Sequence, residues 1–338
     1  MSTTIEWANR PGTKGEVWNP VTGCTKVSAG CKFCYAETVA NRFWPTQYPP
    51  VPTPGCSDEP ARPRLFTDLQ CHEDRLALPF SWQRPRTVFV NSMSDLFHEA
   101  VPDEFIDKVF AVMALTPQCT FIVLTKRPER MRAYFAAGQF RDVKVADAAK
   151  IASKSVVPFA LPSEVVFDAR SVALGHPWAI RAWPLPNVWL GVSVENQATA
   201  DERIPLLLQT SAAVRVVSAE PLLGPIKCER LGQHWLGPAT QRAGMNDGVD
   251  WILVGGESGP QARPCAIEWI GALVEQTKAA GVPCFVKQLG AVWAYWNGAT
   301  KRKAGAFPKY RPSPKGADPS EWPDALRVRE WPDVGGQP

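Results

Sequence analysis

Short apolar runs rich in β-branched residues recur along the chain from residue 87 onward. Each spans three to five residues without alternation of polar and apolar positions, which is typical of strands buried on both faces. An earlier strand is expected to lead into Cys24. The six later predicted strands are Thr87–Asn91, Thr120–Leu124, Val188–Val192, Val214–Val217, Trp251–Val254 and Cys284–Val286.

Helical patterns fill much of the sequence between these runs. After an early helix at Tyr35–Phe43, the predicted helices are Asp103–Leu115, Pro128–Phe135, Ala198–Gln209 and Ile267–Ala280. The last of them stops at a Gly-Val-Pro sequence, a strong helix end. Strands that alternate with helices predict a parallel sheet with right-handed crossovers.

The seven strands predict an α/β fold: a partial or complete parallel (β/α) barrel with long insertions. An open doubly wound sheet is the alternative for the same element order. We assign residues 1–290 to the barrel, with insertions at about 45–80, 136–186 and 227–250. Residues 291–338 form a C-terminal tail, whose tryptophans are expected to pack on the barrel; stacking on nucleic-acid bases is the alternative.

The composition is ordinary for a globular protein, with 45% apolar and 21% charged residues. No segment approaches about 18 uninterrupted apolar residues, and the N-terminus lacks a signal-peptide pattern. We therefore expect a cytoplasmic protein without a membrane partner. The net charge of +4 does not by itself indicate nucleic-acid binding. Nine cysteines without a secretory signal indicate reduced thiols or metal ligands.

Three of these cysteines lie in the segment Cys24–Cys34, here called the cysteine loop. Cys31 and Cys34 are two residues apart, and six residues separate Cys24 from Cys31. Three thiolates are one short of the four that close a structural zinc site or a fully ligated iron–sulfur cluster. The loop therefore indicates a metal centre with an open position. A zinc site and unligated core cysteines are the alternatives.

Five motifs follow one another along most of the chain. They are Trp18–Cys24, Cys31–Glu37, Phe89–His98, Leu124–Pro128 and Val254–Gly259. Together they resemble a branch of the radical S-adenosylmethionine (SAM) superfamily that is found mostly in phages and prophages and is distantly similar to spore photoproduct lyase. The resemblance covers roughly residues 18–290. The first gap, of six residues, departs from the three of the common superfamily pattern.

The resemblance implies a partial barrel in which Cys24, Cys31 and Cys34 hold a [4Fe–4S] cluster and the open iron binds SAM. One electron from a flavodoxin- or ferredoxin-type reductant would cleave SAM to methionine and a 5′-deoxyadenosyl radical, which takes a hydrogen atom from the substrate. The implied substrate is a modified pyrimidine, such as a thymine, in phage DNA or in a nucleotide. Isomerisation, rearrangement and lesion repair, reactions of isomerase or lyase type in the host cytoplasm, are the implied outcomes.

Polar residues crowd the ends of the predicted strands, where α/β barrels place their chemistry. For SAM we expect Ser92, Ser94 and Asp95 at the methionyl end, and Ser193 and Glu195 at the ribose. Further candidates for cofactor binding are Ser218 and the run Gly255, Gly256 and Glu257. That run matches in letters a methionine-binding motif of the superfamily, which normally follows the second strand rather than the sixth. A cradle for substrate or adenine and a tight turn are its alternatives.

Three cations also follow strands and could bind a substrate phosphate or carboxylate, namely Lys126, Arg127 and Lys287. Ion pairs with Glu195, Glu220 or Glu257 are the alternative role for these cations. The predicted substrate-binding set is completed by Glu220, Gln288 and His98. For His98, a surface or capping role is the alternative. The sequence assigns no catalytic residue.

A non-catalytic nucleic-acid-binding protein with a structural zinc is the rival function. Zinc would need a fourth ligand at suitable spacing. The remaining cysteines form no CxxC pair; they are Cys56, Cys71, Cys119, Cys228, Cys265 and Cys284. Metal analysis separates the two functions, because a cluster gives iron and sulfide near four each per chain whereas the rival gives one zinc.

Overall fold

The computed structural model describes residues 3–52, 60–136, 165–167, 178–180, 184–230, 233–236, 248–300 and 315–333. Nearly all of the predicted insertion at 136–186 lies outside these residues, as do Cys56, much of the 227–250 insertion and part of the tail. The statements below concern the described residues.

Seven parallel strands form the main sheet, and their order in the sheet is their order in the chain. They are β1 Lys14–Trp18, β2 Arg86–Val90, β3 Cys119–Thr125, β4 Val188–Val194, β5 Val214–Ala219, β6 Trp251–Gly255 and β7 Cys284–Gln288. The sheet curls into a half-barrel with β1 and β7 at its edges. The predicted partial parallel barrel is confirmed, because a doubly wound sheet would reverse its strand order midway.

Helices follow most of the strands, and all but the last, which was not predicted, lie within a few residues of the predicted bounds. They are α1 Tyr35–Gln47, α2 Asp103–Ala114, α3 Pro128–Ala136, α4 Gln197–Leu208, α5 Ile267–Ala280 and α6 Ala291–Thr300. Asn196 caps α4 by accepting from Thr199 N at 3.1 Å, and α5 ends at Gly281 in the left-handed region. None of the helices described here has the length and apolar composition needed to cross a bilayer.

Short antiparallel pairs lie beside the main sheet. Val21–Thr22 pairs with Gln70–Cys71, so residues just before the cysteine loop bind the end of the predicted 45–80 insertion. The other two pairs are Val165–Phe167 with Trp178–Ile180, and Glu229–Arg230 with Gln233–His234.

The inner face of the half-barrel changes character along each strand. Its lower part is aromatic and aliphatic: Trp189 and Trp251 meet edge to face at 5.8 Å, and Trp7 from the N-terminal segment packs on Trp251 at 6.2 Å. Side chains two positions apart on a strand share a face. The last inward positions of four strands are polar: Asn91 just beyond β2, Ser193 on β4, Ser218 on β5 and Lys287 on β7.

The described part of the tail packs against both core clusters of the barrel. Trp322 is buried, Trp331 Nε1 donates to Trp7 O at 2.8 Å, and Trp251 Nε1 donates to Glu330 O at 2.9 Å. Trp296 on α6, in contrast, is 66% exposed. Trp293, Trp322 and Trp331 therefore pack on the barrel, and Trp296 remains open to solvent.

Asp250 lies directly before β6 and is buried at the amino end of the sheet. Its Oδ2 accepts from Arg215 N at 2.7 Å, whereas Oδ1 has no hydrogen-bond partner within the described residues. Burial raises the pKa of Asp250 from 3.8 to about 6, against the opposing effect of Arg215. The native state therefore holds this proton more tightly than the unfolded chain.

We predict that Asp250→Asn stabilises the protein above pH 6. Ionisation of Asp250 opposes folding, and this cost appears as pH rises through the unfolded value of 3.8 and is complete above the folded value of about 6. The expected gain is on the order of 1–3 kcal/mol at pH 8 and shrinks towards pH 4. Urea unfolding across this pH range measures it. Asp324→Asn, at an exposed carboxylate paired with Arg327, is the control; equal gains in both variants would contradict the prediction.

Candidate functional site

A cavity of about 360 Å³ opens at the carboxyl ends of the strands, between the polar inner layer and the cysteine loop. Most of the residues that the sequence singled out line it. They are Cys24, Cys31, Cys34, Ser92, Ser94, Asp95, Lys126, Arg127, Ser193, Ser218, Glu220, Glu257, Lys287 and Gln288. Four others do not line it: Glu195, Gly255, Gly256 and His98.

The backbone of the cysteine loop is fixed at both ends. Gly23 enters it with a φ of 94°, a conformation that favours glycine, and Cys24 N donates to Phe66 O at 2.9 Å. Cys34 is the residue that precedes α1. The inner face of α1 packs on Phe66 through Trp44, so both ends of the loop rest on the same small apolar cluster.

Asp95 is a buried carboxylate that organises the ends of β2 and β3. Its Oδ1 accepts from Thr125 Oγ1 at 2.7 Å and Phe97 N at 3.0 Å. Its Oδ2 accepts from Lys126 N at 3.0 Å and Arg127 Nη1 at 3.2 Å. Both oxygens are therefore occupied by the protein, which leaves little of Asp95 for the predicted methionyl contact.

Arg127 carries this network into the cysteine loop. Its Nε donates to Glu99 at 3.0 Å, and its Nη1 lies 3.6 Å from Cys24 Sγ as well as contacting Asp95. Its Nη2 donates to the carbonyl of Thr25 at 3.1 Å and to its hydroxyl at 2.9 Å. These contacts use all five N–H groups of a guanidinium. From the sequence we expected Arg127 to bind substrate. In the structure its N–H groups donate to the cysteine loop and to the carboxylates of Asp95 and Glu99.

Glu195 supports the middle of the loop. It is fully buried and accepts from Ser28 Oγ at 2.8 Å and from Arg203 Nη1 at 3.4 Å. Lys126 Nζ lies 3.8 Å away. A Cβ on Gly30 would lie 2.3 Å from Glu195 Oε1. The loop can therefore lie this close to Glu195 only with glycine at position 30. Glu195 therefore lies behind the loop rather than in the cavity wall, where we expected it to contact a ribose.

Glu257, after β6, reaches the loop through Arg263, which the sequence did not single out. Arg263 donates to both Glu257 oxygens, at 2.6 Å and 2.9 Å. Its Nη1 donates to Ala29 O at 2.9 Å, and the guanidinium lies 5.3 Å from the Phe33 ring centroid. The only sequence signal was its position six residues after Glu257.

The two glycines before Glu257 are explained by packing. A Cβ on Gly256 would lie 2.5 Å from Leu289 O, and one on Gly255 would lie 2.9 Å from Gln288 Nε2. Gly256 N also donates to Gln288 O at 3.0 Å. The glycine pair thus lets the ends of β6 and β7 meet. This role agrees better with the predicted tight turn than with a cradle for a ligand.

His98 contacts the cysteine loop from outside the cavity. Its Nδ1 accepts from Ala100 N at 3.1 Å, so the proton of the neutral ring belongs on Nε2, which lies 2.9 Å from Thr25 Oγ1. Burial, with Arg127 nearby, lowers the pKa of His98 against the opposing effect of Glu99. It is therefore a neutral residue that caps a turn and positions Thr25.

Glu220, Lys287 and Gln288 form one group in the cavity wall, at the ends of β5 and β7. Both Lys287 Nζ and Gln288 Nε2 donate to the Glu220 carboxylate. Burial opposes ionisation of Glu220, but Lys287 and Gln288 outweigh it and lower its pKa. Lys287 therefore forms an ion pair, which was the predicted alternative to substrate binding. Gln288 Nε2 also donates to Gly256 O at 2.8 Å.

Asn91 is a second cavity residue that was not assigned a role from the sequence. It adopts a φ of 57°, and its Oδ1 accepts from Val21 N at 3.2 Å. Its Nδ2 is buried and has no hydrogen-bond partner in the described part of the chain. The hydroxyls of the two following serines are engaged: Ser92 donates to Asn19 Oδ1 at 3.2 Å and Ser94 to Val21 O at 2.8 Å.

The comparisons with known proteins give a family and no function. A family described as a protein of unknown function, DUF5131, matches residues 2–310. The chain belongs to the DUF5131 family. No curated protein matches it, and no solved structure does.

The three thiols of the cysteine loop all line the cavity. Among the described residues, no three His, Cys, Asp or Glu side chains are arranged to hold one metal ion. A cubane cluster carries its thiolates on different irons, so its cysteines need not converge on one point. Burial and Asp95 raise the pKa of Cys24 to about 11 against the effect of Arg127, so metal binding there must displace a proton.

We predict that Gly30→Ala disturbs the loop specifically. The new methyl group would meet a carboxylate that cannot retreat, so we expect a loss of about 1–3 kcal/mol in the free energy of unfolding and faster hydrogen exchange across residues 24–34. Gly271→Ala on α5 is the control, since its Cβ would lie 3.7 Å from Leu326. It should be neutral or slightly stabilising. Unchanged exchange in Gly30→Ala would contradict the close contact with Glu195.

Proposed function

We propose that this protein is a radical SAM enzyme in which Cys24, Cys31 and Cys34 hold a [4Fe–4S] cluster. One observation carries the proposal: the three cysteines of a single loop all line one cavity at the carboxyl ends of a parallel half-barrel. In α/β barrels that end is where chemistry takes place. The resemblance of five motifs to a radical SAM branch supplies the reaction class.

The arrangement of the cysteines favours this proposal over the structural-zinc alternative. A closed zinc site needs four ligands around one point. The described residues offer no such group, whereas the loop offers three thiols beside a cavity. Cys24, Cys31 and Cys34 would hold the cluster at this cavity, and the residues around it would bind SAM.

When bound, the cluster and SAM together supply a 5′-deoxyadenosyl radical, with one electron from an external flavodoxin- or ferredoxin-type reductant. The residues of the chain bind and orient the reactants. Asn91 presents a buried amide donor, and Ser193 and Ser218 lie opposite each other in register on neighbouring strands. These three residues are suited to the polar groups of SAM, because Asp95, Glu195 and Glu257 already bind the cysteine loop or its anchors.

The proposed substrate is a modified pyrimidine in DNA or in a nucleotide, which the enzyme isomerises, rearranges or repairs. Its phosphate needs a cation, and Lys126 is the best candidate of the three that the sequence named. The Lys126 side chain lines the cavity, is 21% exposed, and lies 3.8 Å from Glu195 Oε1. Arg127 and Lys287 are held by closer ion pairs.

The decisive experiment is anaerobic reconstitution with iron and sulfide, followed by reduction in the presence of SAM. We expect iron and acid-labile sulfide near four each per chain and the formation of 5′-deoxyadenosine. One tightly bound zinc and no nucleoside product would favour the rival binding protein. A cluster without SAM cleavage would support the proposed metal centre and contradict the proposed radical reaction.

We predict that Cys24→Ala, Cys31→Ala and Cys34→Ala each lose the cluster and all SAM cleavage, since a three-ligand site has no spare thiol. Iron content and visible absorbance after reconstitution measure this. Cys71→Ala is the matched control: Cys71 pairs with Val21 close to the loop but does not line the cavity. A Cys24→Ala protein with full iron content would assign the third ligand to another cysteine.

We also predict that Lys126→Ala weakens binding of an oligonucleotide of any sequence. Removing one phosphate contact should make the dependence of log affinity on log salt shallower by about one unit. Lys108→Ala on α2, where Lys108 pairs with Glu73 at the surface, should leave both affinity and slope unchanged. Binding that does not respond to salt, or no binding of DNA, RNA or nucleotides, would point instead to an uncharged metabolite or a peptide.

A further inference from the structure

Arg127 connects the end of β3 to the sulfur of Cys24. The residue is 5% exposed, and its Nη1 lies 3.6 Å from Cys24 Sγ and 3.2 Å from Asp95 Oδ2. We infer that Arg127 is a positioning residue that fixes Cys24 for cluster binding and makes the bound cluster easier to reduce. This inference rests on the proposed function, because it concerns the cluster that the cysteines would hold.

The guanidinium is held on every side, so its contact with the sulfur does not depend on a mobile side chain. Glu99 binds Nε at 3.0 Å, and Thr25 accepts two hydrogen bonds from Nη2. The backbone N–H of Arg127 donates to Thr125 Oγ1 at 2.9 Å, and Thr125 in turn donates to Asp95 at 2.7 Å. Side chain and backbone are thus fixed by one network, in which Asp95 and Thr125 are buried and Glu99 is exposed.

The network also sets the position of the thiol. Arg127 binds Thr25, the residue after Cys24, through both its carbonyl and its hydroxyl, and His98 contacts the same hydroxyl. The first cysteine is separated from the other two by six residues, so the CxxC pair cannot fix its place. The bond from Cys24 N to Phe66 O anchors the backbone there, and Arg127, from a strand end, adds the contacts that hold Thr25 and the sulfur itself.

The positive charge of Arg127 should also affect the reduction potential of the bound cluster. Reduction adds one negative charge to the cluster and its thiolates. A cation and an N–H donor at a ligand sulfur stabilise that added charge, and the effect is strong where burial excludes water. Hydrogen bonds to the sulfurs and net charge are known determinants of cluster potentials. Loss of the guanidinium should therefore shift the midpoint potential to a more negative value.

Lysine cannot replace this residue fully. An ammonium group keeps the positive charge but lacks the planar fork that reaches an acid, a threonine and a sulfur at once. The midpoint potential should therefore shift less in Arg127→Lys than in Arg127→Gln. In both variants the cysteine loop should be less ordered. The difference in potential separates a redox effect from a purely structural one.

The test compares wild type, Arg127→Gln, Arg127→Lys and the control Arg130→Gln after reconstitution. Arg130 binds Asp103 and the carbonyl of Val101 on the neighbouring helix turn and does not line the cavity. Chelator competition measures iron affinity, and an anaerobic redox titration followed by electron paramagnetic resonance measures the midpoint potential. We expect Arg127→Gln to lose roughly 10- to 100-fold in iron affinity and to have the most negative potential, with Arg127→Lys intermediate and Arg130→Gln unchanged.

The outcomes separate the two proposals. A wild-type protein that takes up no iron would overturn the proposed function. A wild-type cluster whose affinity and potential are the same in both Arg127 variants would overturn the role of Arg127 alone. If Arg127→Gln does not fold, Arg127→Lys decides, because an unshifted potential together with normal iron affinity in that variant would equally refute the inference. Thermal unfolding of the metal-free variants checks their folding.

Discussion

The site depends on a constraint of buried charge. Asp95, Glu195 and Glu257 lie at the ends of three strands in places where water is scarce, and an uncompensated carboxylate there would be strongly destabilising. Each is compensated by an arginine or by several hydrogen bonds, and each group of contacts extends to the cysteine loop through Arg127, Ser28 or Arg263. The loop is therefore ordered by the electrostatics of the barrel rim more than by its own short backbone.

The strands could be predicted from sequence because they are buried on both faces. An uninterrupted apolar run such as that of β4 leaves few alternatives once helical patterns flank it, and its ends could be judged to within two residues. The strand β1 was harder, since Lys14–Trp18 has a single valine and was anticipated only by its position before Cys24. The half-barrel, as opposed to a closed barrel, depends on edge geometry that no local pattern encodes.

The membership of the site was also visible in the sequence, because residues that follow parallel strands must meet at one edge. Their partners were visible only in part. The sequence offered Glu220 as an alternative partner of Lys287, and the structure shows that ion pair. It did not offer Asp95, 32 residues away, as the partner of Arg127. Asn91 was assigned no role because it was counted as the last residue of a predicted strand. Its unusual backbone angle and its unpaired amide become apparent only in three dimensions.

The contact between Trp331 and Trp7 joins residues 324 positions apart, and Lys315 pairs with Glu6 across a similar span. Trp7, Glu6 and Lys315 all line the cavity. Contacts this distant in sequence form late, because the entropy of closing so long a chain opposes them until other structure has formed. During synthesis the strands can pair one after another as they leave the ribosome. The floor of the cavity, however, is complete only after the segment from Lys315 to Trp331 has been made, so any group that binds there meets a finished cavity only after that segment has folded back onto the N-terminal residues.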